Sequence, residues 1–182
     1  YNEELISKTS IRLKELPFVA ENEPWKIVFI DEQAKLMLNL KKKQASRFNG
    51  IIGLLSDPVT GNIKFTGDVK LNLINAFNKG EQLDFNWRSL ANSTQDLKLK
   101  MVYPFLFNSP FGIDYDFKLY KRDTTYIDVE NKIGVRYILK GNNYFKVFFH
   151  NKSSNILSKT GLENTTVLPN FADVNSKLYG VT

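Results

Sequence analysis

The sequence predicts a mainly β protein, an antiparallel meander with one oily and one wet face, preceded by a small α+β segment. Three observations predict it. Between Ile63 and Leu139 apolar and polar residues alternate in runs of six to ten; turn-forming clusters separate the runs at regular intervals; and the first sixty residues follow a different, partly helical pattern. Side chains in a strand point to opposite faces with period two, so each alternating run is a half-apolar strand. Recurrence of the pattern describes the wall of a transmembrane β-barrel, with lipid outside and water inside. A soluble sandwich is the alternative, since its strands also alternate.

Taken in order, Leu5, Ile6, Ile11, Leu13 and Leu16 have helical spacing, and Pro17 is a stop. A turn-rich stretch is expected at Glu21 to Pro24. The runs Ile27–Ile30 and Lys35–Leu40, separated by Asp31, Glu32 and Gln33, suit an antiparallel hairpin. This helix and hairpin, residues 1–43, are too small for a usual domain and read as the tail of one that begins upstream. Tyr1 is not an initiator, so the chain is expected to start inside a longer precursor. Lys41 to Lys43 close the module, with charge suited either to solvent or to anionic headgroups.

Residues 44–182 form the second expected unit. Phe48 to Leu55 is its first strand. Turn signals follow at Asp57-Pro58 with Thr60-Gly61, Asn78 to Gly80, Ala91 to Thr94, Asn108 to Gly112, Arg122 to Thr124 and Gly141 to Asn143. Seven strands are expected to about residue 151, then a polar irregular connection from Lys152 to Asn175, then an eighth strand over 175–182. The alternation assigns Phe65, Val69, Leu71, Phe85, Trp87, Leu99, Tyr115, Phe117, Val135 and Tyr137 to the lipid side. Phe77, Tyr103, Phe105, Phe107, Phe111, Tyr120, Tyr126 and Tyr144 stand near the ends of runs, where aromatic girdles are expected.

The chain has 182 residues, 42% of them hydrophobic, no cysteine and a net charge of +6. Without cysteine it has no disulfides and no thiolate metal site. Its lysines are scattered along alternating strands beside aspartates, which argues against nucleic acid as a partner. His150 is the only histidine, so neither a histidine-based triad nor a histidine-rich metal site can be assembled, and it reads as a lumen or interfacial residue. The pairs Asp114/Asp116 and Asp128/Glu130 face Lys98, Lys100, Lys118 and Arg136 and read as a solvated lining rather than acid–base machinery. No phosphate loop of Walker type is present. No catalytic, cofactor-binding or metal residue is therefore expected, and no cofactor.

Beyond the generic pattern, "RFNGIIGLLSDPVTGNIKFTGDVKLNLINAFNKGEQLDFNWRSL" and "TQDLKLKMVYPFLFNSPFGIDYDFKLYKRDTTY" carry a resemblance. They resemble the start of the barrel in the outer-membrane assembly and secretion superfamily that includes BamA, TamA and the two-partner secretion transporters (the bacterial surface antigen family), in its Bacteroidetes versions. "YPFLFNSPFG", "GEQLDFNWR" and "LYKRDTTY" are the most specific parts, and "ISKTSIRLKELPFV" is similar to the end of a polypeptide-transport-associated (POTRA) domain.

The resemblance implies that residues 44–182 are the N-terminal part of a sixteen-stranded barrel in the outer membrane of a Gram-negative bacterium. The POTRA-like tail would lie in the periplasm. Partners would be outer-membrane lipids, unfolded or secreted polypeptide clients and other envelope assembly subunits. It further implies that Phe48, Asn49, Gly50, Ile51, Ile52, Gly53, Leu54 and Leu55 form one side of the seam at which a client strand is admitted. Client recognition would then be strand addition, with main-chain hydrogen bonds supplying affinity. The first strand would run outward, leaving 78–80, 108–112 and 141–143 as short periplasmic turns and the connections at 57–61, 91–94, 122–125 and 152–175 outside. Rival expectations are a passive pore or an anchor barrel for a fused domain, and a soluble lipid-binding barrel.

Overall fold

The computed structural model describes residues 3–30, 33–56, 61–90, 94–122, 126–139, 143–157 and 174–182. It divides into two units, Tyr1–Ala45 and Ser46–Thr182. The expected boundary at 43/44 falls two residues earlier.

The first unit holds helix α1 (Glu3–Glu15) and an antiparallel pair, β1 (Val19–Ile30) with β2 (Gln33–Lys42). A Lys8–Glu4 ion pair at 2.6 Å links successive turns of α1, and the helix stops before Pro17, which cannot continue it. Glu21 to Pro24, expected as a turn, instead lies within β1. The pairing shifts register between Glu21 and Glu23 and again between Glu23 and Lys26. Pro24 lacks the N–H a regular ladder needs, and an irregular stretch of strand accommodates it.

The second unit is one eight-stranded antiparallel meander: β3 (Arg47–Ser56), β4 (Ile63–Ile74), β5 (Gln82–Ser89), β6 (Gln95–Tyr103), β7 (Phe111–Arg122), β8 (Tyr126–Ile138), β9 (Tyr144–Ile156) and β10 (Val174–Val181). Each strand pairs with its neighbours in sequence. The protein is mainly β, and among the described residues no apolar side chain is buried. A single sheet layer has no second layer against which to form a core.

Two connections at one end of the sheet are well formed. In the 75–81 turn Asn75, Asn78 and Gly80 adopt left-handed backbone, and the Gly80 N–H donates to Asn75 Oδ1 at 2.8 Å. Asn tolerates that conformation better than other side chains, which is why two of the three positions carry it. The next turn runs over Pro104–Pro110, with a one-turn 3-10 helix at Leu106–Asn108 and left-handed Phe105, Phe107 and Asn108. It begins earlier than the expected 108–112, because reversal starts at Phe105; Gly112 is already in β7.

Other expectations need correction. Lys152 to Ile156 is strand, not irregular connection: Ser153, Ser154 and Asn155 pair in register with Val129, Asp128 and Ile127. Backbone pairing with β8 carries this stretch where side-chain alternation is absent. Residues 158–173, and the turn residues 57–60, 91–93, 123–125, 140–142, lie outside the described residues.

A two-faced sheet with a free edge strand as the candidate functional site

Register decides which side chains share a face. Val69, Trp87, Leu97, Leu119 and Val129 form one row across β4 to β8, and Leu73, Leu83, Met101, Tyr115, Ile133, Phe149 and Tyr179 another across β4 to β10. All ten residues assigned to the lipid side fall on this one face, joined by Phe48, Gly50, Ile52 and Leu54 of β3. Phe65 is 64% exposed and Val135 50%, while Leu99 and Phe117 are half-buried by neighbours in the sheet. Asn131 interrupts the face, with its Oδ1 accepting from the Tyr115 hydroxyl at 3.0 Å.

The apolar stretch drifts along the strands from one side of the sheet to the other. On β3 it runs from Phe48 to Leu54, centred at Ile51; on β9 it runs only from Phe145 to Phe149, centred at Val147, and then gives way to Asn151, Ser153 and Asn155. The row through Val147, Val135, Ile113 and Tyr103, continued in the same register, meets the line of β3 at position 44. That is seven residues from Ile51 across six strand steps. With about 3.3 Å per residue and about 4.8 Å between strands, the drift corresponds to strands inclined by about 39° to the normal of a level apolar band. At that inclination the Ile63–Leu73 alternation of β4 spans a height of about 26 Å.

The opposite face is polar and laced with cross-strand pairs. Arg88 donates to Asp68 Oδ2 at 2.8 Å through Nη2 and 3.1 Å through Nε; Glu130 meets Lys152 at 3.2 Å, Lys118 at 3.5 Å and His150 at 3.7 Å. Ser154 and Tyr126 donate to Asp128, and Asn72 donates to Asp84. Tyr120, Tyr126 and Tyr144, expected in a lipid-side girdle, stand on this polar face, since each lies at an even position in strands whose apolar face is odd. Phe111, at the start of β7, keeps the apolar side and packs edge-on against Tyr137 at 5.2 Å.

The least exposed charges on this face form a triad that the sequence does not reveal. Asp114 on β7 pairs with Arg136 of β8 and with Lys146 of β9 at 2.6 Å. Lys146 reaches it across β8 at Gly134, where a Cβ would press on its Cε. The only sequence signal was a glycine inside a strand, which marks a close approach without naming what approaches.

In the 75–81 turn Glu81 is almost fully buried, and its carboxylate accepts from the backbone N–H groups of Phe77 and Lys79. Burial pushes its pKa up, but these donors outweigh burial, so it titrates below the ordinary glutamate range. Among the described residues no group of three His, Cys, Asp or Glu is placed to hold a metal ion, and no helix is long and apolar enough to cross a membrane.

The expected client-accepting strand is β3, one edge of the sheet. It pairs with β4 from Arg47↔Asn72 to Ser56↔Ile63, and its other side has no strand beside it among the described residues. Phe48, Ile52 and Leu54 are exposed on the apolar face, and Ile51 (75% exposed) and Leu55 on the polar face beside Asn49 and Gly53. A strand that exposes apolar side chains on both faces and has an unpaired edge is a template for another strand. Gly67 of β4 lets β3 approach closely, since a Cβ there would meet the Ile51 carbonyl oxygen. Gly53 is looser: its Cβ would lie 3.1 Å from Thr66 Oγ1.

No protein-family model, curated protein or solved structure matches the chain.

Proposed function

We propose that this chain is part of an outer-membrane β-barrel that inserts, assembles or translocates other polypeptides, with no catalytic step and no cofactor. One observation carries the membrane half of the reading: an exposed apolar face whose centre drifts diagonally across the strands. Strands of transmembrane barrels tilt by about 35–45° beneath an apolar band about 25 Å tall, and the inclination of about 39° and height of about 26 Å fall at those values. A soluble sandwich has no reason to keep its oily stripe level at such an angle to the strands, because a second sheet covers the whole face.

The polypeptide half rests on β3. In lipid an unpaired backbone edge costs several kcal/mol per group, so both edges of this sheet need partner strands. On this reading β3 is the edge whose partner is exchanged: a client strand adds there through main-chain hydrogen bonds. The helix and hairpin of residues 1–45 fit the end of a POTRA-like periplasmic module, and the turns at 75–81 and 104–110 would face the periplasm. Outer-membrane lipids, client polypeptides and other envelope subunits are the partners.

The test is photo-cross-linking from Ile51 and Gly53 of the protein in membranes to a stalled client. Adducts from these β3 positions, with none from Val147 on β9, which is paired on both sides, support the reading. Client adducts equally frequent at Val147, or absent from β3, contradict it.

A further inference from the structure

The polar face carries a net positive charge. Across β3 to β10 its described positions hold twelve Lys and Arg against seven Asp and Glu, a net +5 beside the +6 of the whole chain. At least seven of these twelve cations have a carboxylate within 4.0 Å, five of them across strands. A trough of about 440 Å³ next to β3 is lined by five of the cations against two carboxylates, Asp84 and Asp116.

Across the trough runs one register row, Arg47, Asn72, Asp84, Lys100 and Asp116, which sets Lys100 between two carboxylates in direct register. Asn72 donates to Asp84, while among the described residues Arg47 and Lys100 have no ion-pair partner, and both are exposed. In the adjoining row Lys98 stands directly opposite Lys118. Each is held by a carboxylate, Lys98 by Asp96 at 2.9 Å and Lys118 by Glu130 at 3.5 Å, and Lys70 has Asp68 at 3.7 Å, which leaves Arg47 and Lys100 as the trough's cations for an added partner.

We propose that this trough binds an extended polypeptide segment bearing carboxylates four residues apart, with Arg47 and Lys100 as the two anchoring cations. The spacing selects the ligand. Arg47 and Lys100 are three strand spacings apart, about 14 Å, and carboxylates at i and i+4 of an extended chain are about 13 Å apart. One phosphate needs converging donors and cannot bridge that gap. The trough abuts β3, so a client held at that edge has its acidic side chains within reach of the row. The proposal rests on the polypeptide-handling reading for its choice of ligand, not for the charge on the face.

The experiment is fluorescence anisotropy of a labelled serine-rich peptide with Glu at i and i+4, titrated with the protein in detergent micelles, against the same peptide with Gln. The Glu peptide is expected to bind about tenfold tighter at low salt, with the gap closing at about 0.5 M salt. R47Q/K100Q abolishes the gap; R47K/K100R, which keeps both charges, restores it; K79Q, in the 75–81 turn, leaves it intact. Equal binding of the two peptides, a gap that survives R47Q/K100Q, or competition by inorganic phosphate at the concentration of the Glu peptide overturns the proposal, the last by identifying a phosphate site. Failure of the membrane reading shows elsewhere, in which face of the sheet meets lipid, so the two failures are distinguishable.

Discussion

Replacing Asp114 with alanine is expected to lower the free energy of unfolding by about 3 kcal/mol. In the native sheet the carboxylate is 6% exposed, and the two cations that meet it, Arg136 and Lys146, are 17% and 13% exposed. Truncation leaves two positive groups side by side with little water, and removing one partner of a buried ion pair costs about 3–5 kcal/mol. The lower end applies because this face opens to water at its rim. Lys146→Met removes one of the two cations but keeps the Arg136 pair, and is expected to cost about 1 kcal/mol. Gly134→Ala puts a methyl group where the Lys146 stem crosses β8, so its cost should match Lys146→Met and not add to it. D114A/K146M should be less damaging than the sum of its single changes, by about 1–2 kcal/mol. Urea unfolding of the protein in lipid vesicles, followed by tryptophan fluorescence, reads these four variants and the G134A/K146M double. Asp114→Ala within about 0.5 kcal/mol of the native protein, or full additivity of Gly134→Ala with Lys146→Met, would refute the reasoning.

Other outcomes follow from the same geometry. Glu81→Gln weakens two backbone hydrogen bonds in the 75–81 turn and should cost about 1–2 kcal/mol at pH 7. Because the folded state lowers this carboxyl's pKa, its contribution is complete above the unfolded value of about 4.3 and is lost as pH falls through the folded one. The gap between variant and native protein should therefore shrink in acid unfolding below about pH 4; a gap unchanged at pH 3 contradicts the account. Val147→Arg, at the middle of the apolar band on β9, should cost about 2–4 kcal/mol in vesicles, and Asn155→Arg, eight residues along the same face, less than about 1 kcal/mol. Equal costs at the two depths would remove the inclined band.

Strands β4 to β8 were legible in the sequence because each has a wet side as well as an oily one. Alternation is then visible residue by residue, as in Ile63 to Leu73 against Lys64 to Asn72. The second half of β9 was not. Ser153, Ser154 and Asn155 have no alternation to show, and only their partners on β8 make them strand. Glu21 to Pro24 failed for the opposite reason: turn-forming residues were absorbed into an irregular stretch of strand.

For the candidate site, the position of β3 could be read from Phe48 to Leu55, and its place at a sheet edge agrees with the order of the meander. Nothing local marks the Asp114 triad or the Arg47–Lys100 row, because both depend on cross-strand register. The girdle tyrosines show the same limit at closer range. Tyr120, Tyr126 and Tyr144 were placed by their nearness to strand ends, whereas parity along the strand puts them on the polar face.

The most direct test is a nitroxide scan of β3, β4 and β9 in lipid vesicles, reading accessibility to oxygen, which partitions into hydrocarbon, and to a water-soluble nickel chelate. The account predicts a two-residue period on β4, with oxygen favoured at Phe65, Val69 and Leu71. Maximum depth should fall at Val147 on β9 and between Gly50 and Ile52 on β3, the seven-residue offset of an inclined wall. Oxygen and nickel profiles without alternation, or depth maxima aligned along a single register row, would contradict it.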